Sequence, residues 1–161
     1  MLQLKRTVIP KIAIWAIILL SAINCSKDQN SFLPYVKVNL HISLNNLNHL
    51  SIPGNSILFK GYGYNGNGVI VVCVNPEQNL YSAFDATCPY ESDYSGVVEV
   101  KTVPGIFLPG MIFSSDYLGI CNKCKSEFNL IGNGQPAKGP ATHYLQNYNI
   151  ISGSGSLTVT N

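Results

Sequence analysis

Apolar and polar residues alternate strictly along 35–44, "YVKVNLHISL". Val36, Val38, Leu40, Ile42 and Leu44 fall on one side, and Lys37, Asn39, His41 and Ser43 on the other. A period of two predicts a strand with one buried face. "NSILFKGY" (55–62) predicts a second strand, and "GYNGNG" (63–68) has the Gly/Asn chemistry of a tight turn. "VIVVCV" (69–74) is apolar throughout, as in a strand covered on both faces. "NPEQN" (75–79) turns it back into "LYSAF" (80–84), which predicts a hairpin. Further short strands are expected in "GVVEVKTV" (96–103), "LGIC" (118–121), "SEFNLI" (126–131), "HYLQNYNII" (143–151) and "SLTVT" (156–160). The segment 104–117, "PGIFLPGMIFSSDY", reads as a covering loop or a loose hairpin. No helical period follows residue 24, so the expected class is all-β, a small sandwich or barrel of short antiparallel strands.

The front of the chain follows another pattern. Lys5, Arg6 and Lys11 precede the apolar run "IAIWAIILLSAI" (12–23). The run is shorter than the ~20 residues that span a bilayer, but it suits the core of a secretory signal. It closes on "AINC" (22–25) and a polar string, which resembles the lipidation box of a bacterial lipoprotein with Cys25 as the acylated residue. Plain secretion with Cys25 as a bystander is the simpler alternative. The expected organisation is a signal peptide over 1–24, a tether over 25–34 and a β domain over 35–161. The expected location is the bacterial cell envelope, membrane-anchored through lipid.

Charge narrows the partners. Loss of residues 1–24 removes three of the ten basic residues and leaves seven against eight acidic ones, a net charge of −1 without any arginine. Nucleic-acid binding leans on Arg forks and a basic face, so nucleic acid is excluded as a partner.

Beyond Cys25 the cysteines are Cys73, Cys88, Cys121 and Cys124. Cys121 and Cys124 form a CxxC within "CNKCKSEF", a spacing shared by metal knuckles and redox dithiols. No strand–helix context for a redox dithiol accompanies it. Cys73 belongs to the first strand of the hairpin and pairs near Leu80 or Tyr81. At ~3.3 Å per residue that puts it roughly 13–20 Å from the later loops, too far for a shared ion, so it reads as a small buried residue. His41, His49 and His143 show no ligand spacing: the first two read as surface, and His143 as the start of a strand. No GxSxG, HExxH, phosphate-binding loop or carboxylate pair is present, so nothing points to a hydrolase.

Three segments share a frame: "AFDATCPY" (83–90), "CNKCKSEFNLIGNGQP" (121–136) and "GPATHYLQNYNI" (139–150). Together they resemble the Rieske family of 2Fe-2S proteins, which presents Cys-x-His on one loop, Cys-x-x-His on a second, and then a Gly-Pro segment leading to a closing strand. The resemblance spans roughly 35–160. It implies a Rieske-like β fold and a site at Cys88, Tyr90, Cys121 and Cys124, with Cys88 and Cys121 at the thiolate positions. Tyr90 and Cys124 stand where the family has imidazoles. It also implies electron transfer to a redox partner protein, not catalysis by this domain alone. Three states stay open for the loop cysteines: a 2Fe-2S cluster, a zinc ion, or a disulfide from Cys88 to Cys121 or Cys124 with no cluster in a structural or binding lipoprotein.

Overall fold

The computed structural model describes residues 32–105 and 108–161, so the expectations for the signal segment and for Cys25 lie outside the described residues. Among these residues the regular elements are eleven strands and three short 3-10 turns, and the fold is all-β as expected.

Seven strands form one curled antiparallel sheet. In spatial order they are β1 (Asn39–Ser43), β11 (Ser156–Thr160), β10 (Asn147–Gly153), β4 (Leu80–Asp85), β3 (Val69–Asn75), β2 (Ser56–Phe59) and β6 (Met111–Ser114). The other four, β5 (Val98–Val100), β7 (Leu118–Cys121), β8 (Glu127–Asn129) and β9 (Gln135–Lys138), make a smaller antiparallel sheet in that order.

The hairpin of β3 and β4 forms where the Asn and Pro of "NPEQN" suggest. The Asn75 carboxamide oxygen accepts the backbone N–H groups of Glu77 and Gln78 at 3.0 and 3.3 Å, and Asn79 takes a positive φ of 52°. Cys73 pairs with Tyr81, the expected register.

β3 explains the unbroken apolar run. Val69, Val71 and Cys73 face one core, shared with Leu40, Ile42, Ile57 and Val159. Ile70 and Val72 face a second core with Leu58, Phe84, Val98, Phe128 and Leu130. The large sheet is therefore sandwiched between its own curled interior and the small sheet. At about 1.5–3 kcal/mol per buried aliphatic or aromatic side chain, these two cores are the main favourable term in folding.

Four local expectations change. The segment 104–117 contains β6, which pairs with β2 through Ser56–Ser114 and Phe59–Met111. No strand was expected over 132–138, yet Gln135 and Pro136 begin β9; a proline is tolerated there because β9 is an edge strand with a register shift beside it. His143 does not start a strand; it lies in an exposed bend, and β10 begins at Asn147. His49 is half-buried, with Nε2 2.7 Å from the Ser114 carbonyl oxygen and its ring edge-on to Phe113, so it is part of the packing and not free surface.

Candidate metal centre

The first cysteine loop leaves β4 at Asp85, a fully buried carboxylate. Its Oδ1 accepts the Thr87 N–H at 2.8 Å, and its Oδ2 accepts the Tyr64 N–H at 2.7 Å and the Tyr148 hydroxyl at 2.6 Å. Burial, and then the hydrogen bond to Asp85, hold the Tyr148 phenol above its ordinary pKa. Thr87 is gripped from outside as well, since Asn67 Nδ2 donates to its Oγ1 at 2.9 Å. One buried anion thus fixes the chain three residues before Cys88.

The second loop is the turn between β7 and β8. The Cys121 N–H bonds the Ser126 carbonyl at 2.9 Å, and Lys125 closes the turn with a φ of 60°. Asn122 joins the two loops: its N–H donates to the Val97 carbonyl at 2.8 Å, and its side-chain oxygen accepts the Val97 N–H at 3.0 Å. Lys123 reaches Ser95 and Asp93 across the same junction, an exposed pair that adds little.

Gly96 permits the closest approach. A Cβ there would lie 3.0 Å from Cys121 Sγ, 3.0 Å from Cys88 Cβ and 2.8 Å from Glu91 Cγ. The Cys88 N–H in turn donates to the Gly96 carbonyl at 2.9 Å.

These constraints bring three sulfurs together. The Sγ atoms of Cys88, Cys121 and Cys124 all lie within 4.8 Å of one another, and Cys88 and Cys124 are 3.6 Å apart. Cys88 and Cys121 are fully buried, while Cys124 is partly exposed. The cysteines are free thiols, and 3.6 Å is a contact distance, well beyond the ~2.05 Å of a disulfide bond.

The electrostatics separate two of the thiols. Burial pushes Cys88 upward, against the pull of the Tyr90 backbone N–H, which donates to its sulfur. For Cys124, burial is outweighed by the Ser126 hydroxyl, the Ser126 N–H and the neighbouring Cys121 and Cys88 thiols, so its pKa is lowered. The Cys124 thiol donates to Ser126 Oγ at 3.1 Å, which also accepts the Ala141 N–H at 3.0 Å; once the thiol ionises, the Ser126 hydroxyl can turn its own hydrogen to the sulfur. Gly139 makes this possible: with φ of 96°, it passes so close that a Cβ would lie 2.6 Å from Ser126 Cα. The Gly-Pro segment therefore does pack behind the second cysteine loop. Of these two thiols, Cys124 ionises the more readily.

The remaining candidate residues are placed as follows. Tyr90 is 52% exposed, and its phenol makes no hydrogen bond among the described residues. His143 is exposed, and no histidine, aspartate or glutamate joins the three sulfurs among the described residues. Cys73 lies fully buried in the other core, as expected, with its pKa raised by that burial. The sequence reading missed Asp85, Gly96, Asn122 and Ser126. Only Ser126 had a usable signal, its place two residues after Cys124.

The donor set decides which groups fit. Three thiols, two of them receiving hydrogen bonds from backbone N–H groups two residues onward, suit a thiophilic metal. A centre with two thiolates and two imidazoles does not fit, because no histidine joins the three sulfurs among the described residues.

No family model matches the chain, and no curated protein matches it. Among solved structures, it is similar to the ferredoxin of carbazole 1,9a-dioxygenase from Nocardioides aromaticivorans IC177. The TM-score is 0.43 at 14% identity, covering 76% of this chain and 96% of that one. A second is a complex of reduced oxygenase and oxidized ferredoxin in carbazole 1,9a-dioxygenase, with TM-score 0.43 and 19% identity, covering 77% of this chain and 99% of that one.

Proposed function

We propose that the protein is an exported metalloprotein on a Rieske-like scaffold, tethered by lipid at Cys25 to the bacterial cell envelope, whose metal centre exchanges electrons with a partner protein. The observation that carries this reading is the convergence of Cys88, Cys121 and Cys124 from two loops to within 4.8 Å. The order of the two loops and the Gly139–Pro140 segment behind the second support the scaffold.

The residues divide the work. Cys88, Cys121 and Cys124 hold the metal. The N–H groups of Tyr90 and Ser126 offset thiolate charge, and hydrogen bonds to ligand sulfur are one of the factors that set a potential. Asp85 and Asn122 keep the loops at bonding distance. Cys124, the exposed member, gives an electron its shortest way to the surface. Iron in such a site supplies a one-electron couple.

The test is anaerobic purification of the full chain, with metal analysis and reductive titration followed by absorbance and EPR. The reading predicts iron and a reversible one-electron change. Stoichiometric zinc without a redox change, or metal-free protein with the loops joined by a disulfide, would make it a non-redox structural or binding lipoprotein instead. Labelling with radioactive palmitate tests the tether: incorporation should disappear in Cys25→Ala.

A further inference from the structure

The geometry points to a single tetrahedral ion in this centre, held by Cys88, Cys121 and Cys124 with its fourth position open to solvent or a small exogenous ligand, in place of the two-iron cluster that the loop frame implies. This inference rests on the metal-centre reading above and specifies its nuclearity. Four ~2.3 Å bonds to sulfur around one ion set sulfur–sulfur edges of about 3.8 Å. The Cys88–Cys124 separation of 3.6 Å and the 4.8 Å bound on the whole group match that size. In a two-iron cluster laid on the same frame, Cys88 and Cys121 bind one iron and Cys124 takes the position belonging to the other. Cys124 Sγ would then stand away from Cys88, with the cluster between them. Here it touches Cys88.

Two features keep the sulfurs where they are. Cys124 is held by the Ser126 hydroxyl and N–H, and Ser126 is itself held by the Ala141 N–H and by Gly139 against its Cα. Gly96 packs against Cys121 Sγ and Cys88 Cβ with no room for a methyl group between them, so these two cysteines are held from that side. No protein group among the described His, Asp and Glu residues supplies a fourth ligand, and Tyr90, 52% exposed, makes no phenol hydrogen bond among the described residues. The site class is a thiophilic ion with tetrahedral preference, such as Fe2+, Zn2+ or Co2+. Binding replaces the S–H protons of the three cysteines by metal–sulfur bonds and releases those protons to solvent.

The experiment is metal and acid-labile sulfide analysis of the full chain purified anaerobically, then Co2+ titration of the metal-stripped protein. One metal per chain, no sulfide, and visible Co2+ bands of tetrahedral type that saturate at one equivalent are expected. Two irons with two sulfides would overturn the single ion while leaving a metal centre in place. No metal and no Co2+ bands, in protein whose far-UV circular dichroism shows it folded, would overturn both. Ser126→Ala should weaken Co2+ binding about 10–100-fold, the usual effect of losing a hydrogen bond to a ligand. Cys124→Ser should weaken it further. Tyr90→Phe should leave the titration and the bands unchanged; loss of the bands in that variant would make the phenol the fourth ligand and overturn the open position.

Discussion

Replacing Asp85 by Asn tests whether a buried anion holds the first cysteine loop. The wild-type carboxylate accepts three hydrogen bonds, from the Thr87 N–H, the Tyr64 N–H and the Tyr148 hydroxyl, with none of its surface in water. A carboxamide keeps one acceptor oxygen. If that oxygen serves Tyr64 and Tyr148, the amide group faces the Thr87 N–H, and a buried donor loses its acceptor at a cost of about 1–3 kcal/mol. The two remaining bonds lose their charge assistance, about 0.5–1 kcal/mol each by the difference between charged and neutral bonds. The sum, about 2–5 kcal/mol, is a large part of the ~5–15 kcal/mol that holds a typical domain. Urea unfolding of the metal-free protein should show it as a lower midpoint with an unchanged slope. Tyr148→Phe removes one donor only and should cost less, and the double variant should cost less than the sum of the two single ones. A loss below ~0.5 kcal/mol for Asp85→Asn, or strict additivity with Tyr148→Phe, would refute the account of this network.

Other consequences follow from the same contacts. Gly96→Ala places a methyl group 3.0 Å from Cys121 Sγ and should cost about 1–3 kcal/mol by overpacking, with weaker metal binding, both readable by unfolding and metal titration. Cys73→Ala removes one sulfur from the other core and should cost about 1–2 kcal/mol with metal stoichiometry unchanged; altered stoichiometry would place Cys73 in the site. Because burial and Asp85 raise the Tyr148 pKa, the folded chain keeps that proton above pH ~10, where an unfolded tyrosine loses it. Stability attributable to Tyr148 is therefore fully present below pH ~10 and declines above it by about 1.4 kcal/mol per pH unit, a slope that Tyr148→Phe should remove when urea midpoints are compared across that range.

Much of this fold was legible because its strands carry their own period. "YVKVNLHISL" put Val38, Leu40 and Ile42 on the buried face, and "LGIC" and "SLTVT" match β7 and β11 residue for residue. β6 and β9 were not legible because neither alternates. Each is fixed by pairing with a distant or irregular partner, β6 with β2 and β9 with the shifted register of β8. The site divides the same way. Cysteines declare themselves by type and spacing, so the two loops could be read as one site before any geometry was known. Asp85, Gly96 and Ser126 act through contacts 15 to 63 residues away along the chain or through the space they leave empty, and such roles leave no local pattern.

The central claim is that Cys88, Cys121 and Cys124 share a metal. X-ray absorption at the metal edge of the purified full chain tests it most directly. The account predicts three sulfur neighbours at ~2.3 Å, with one lighter neighbour and no second metal nearby. A shell of nitrogen and oxygen alone would contradict it.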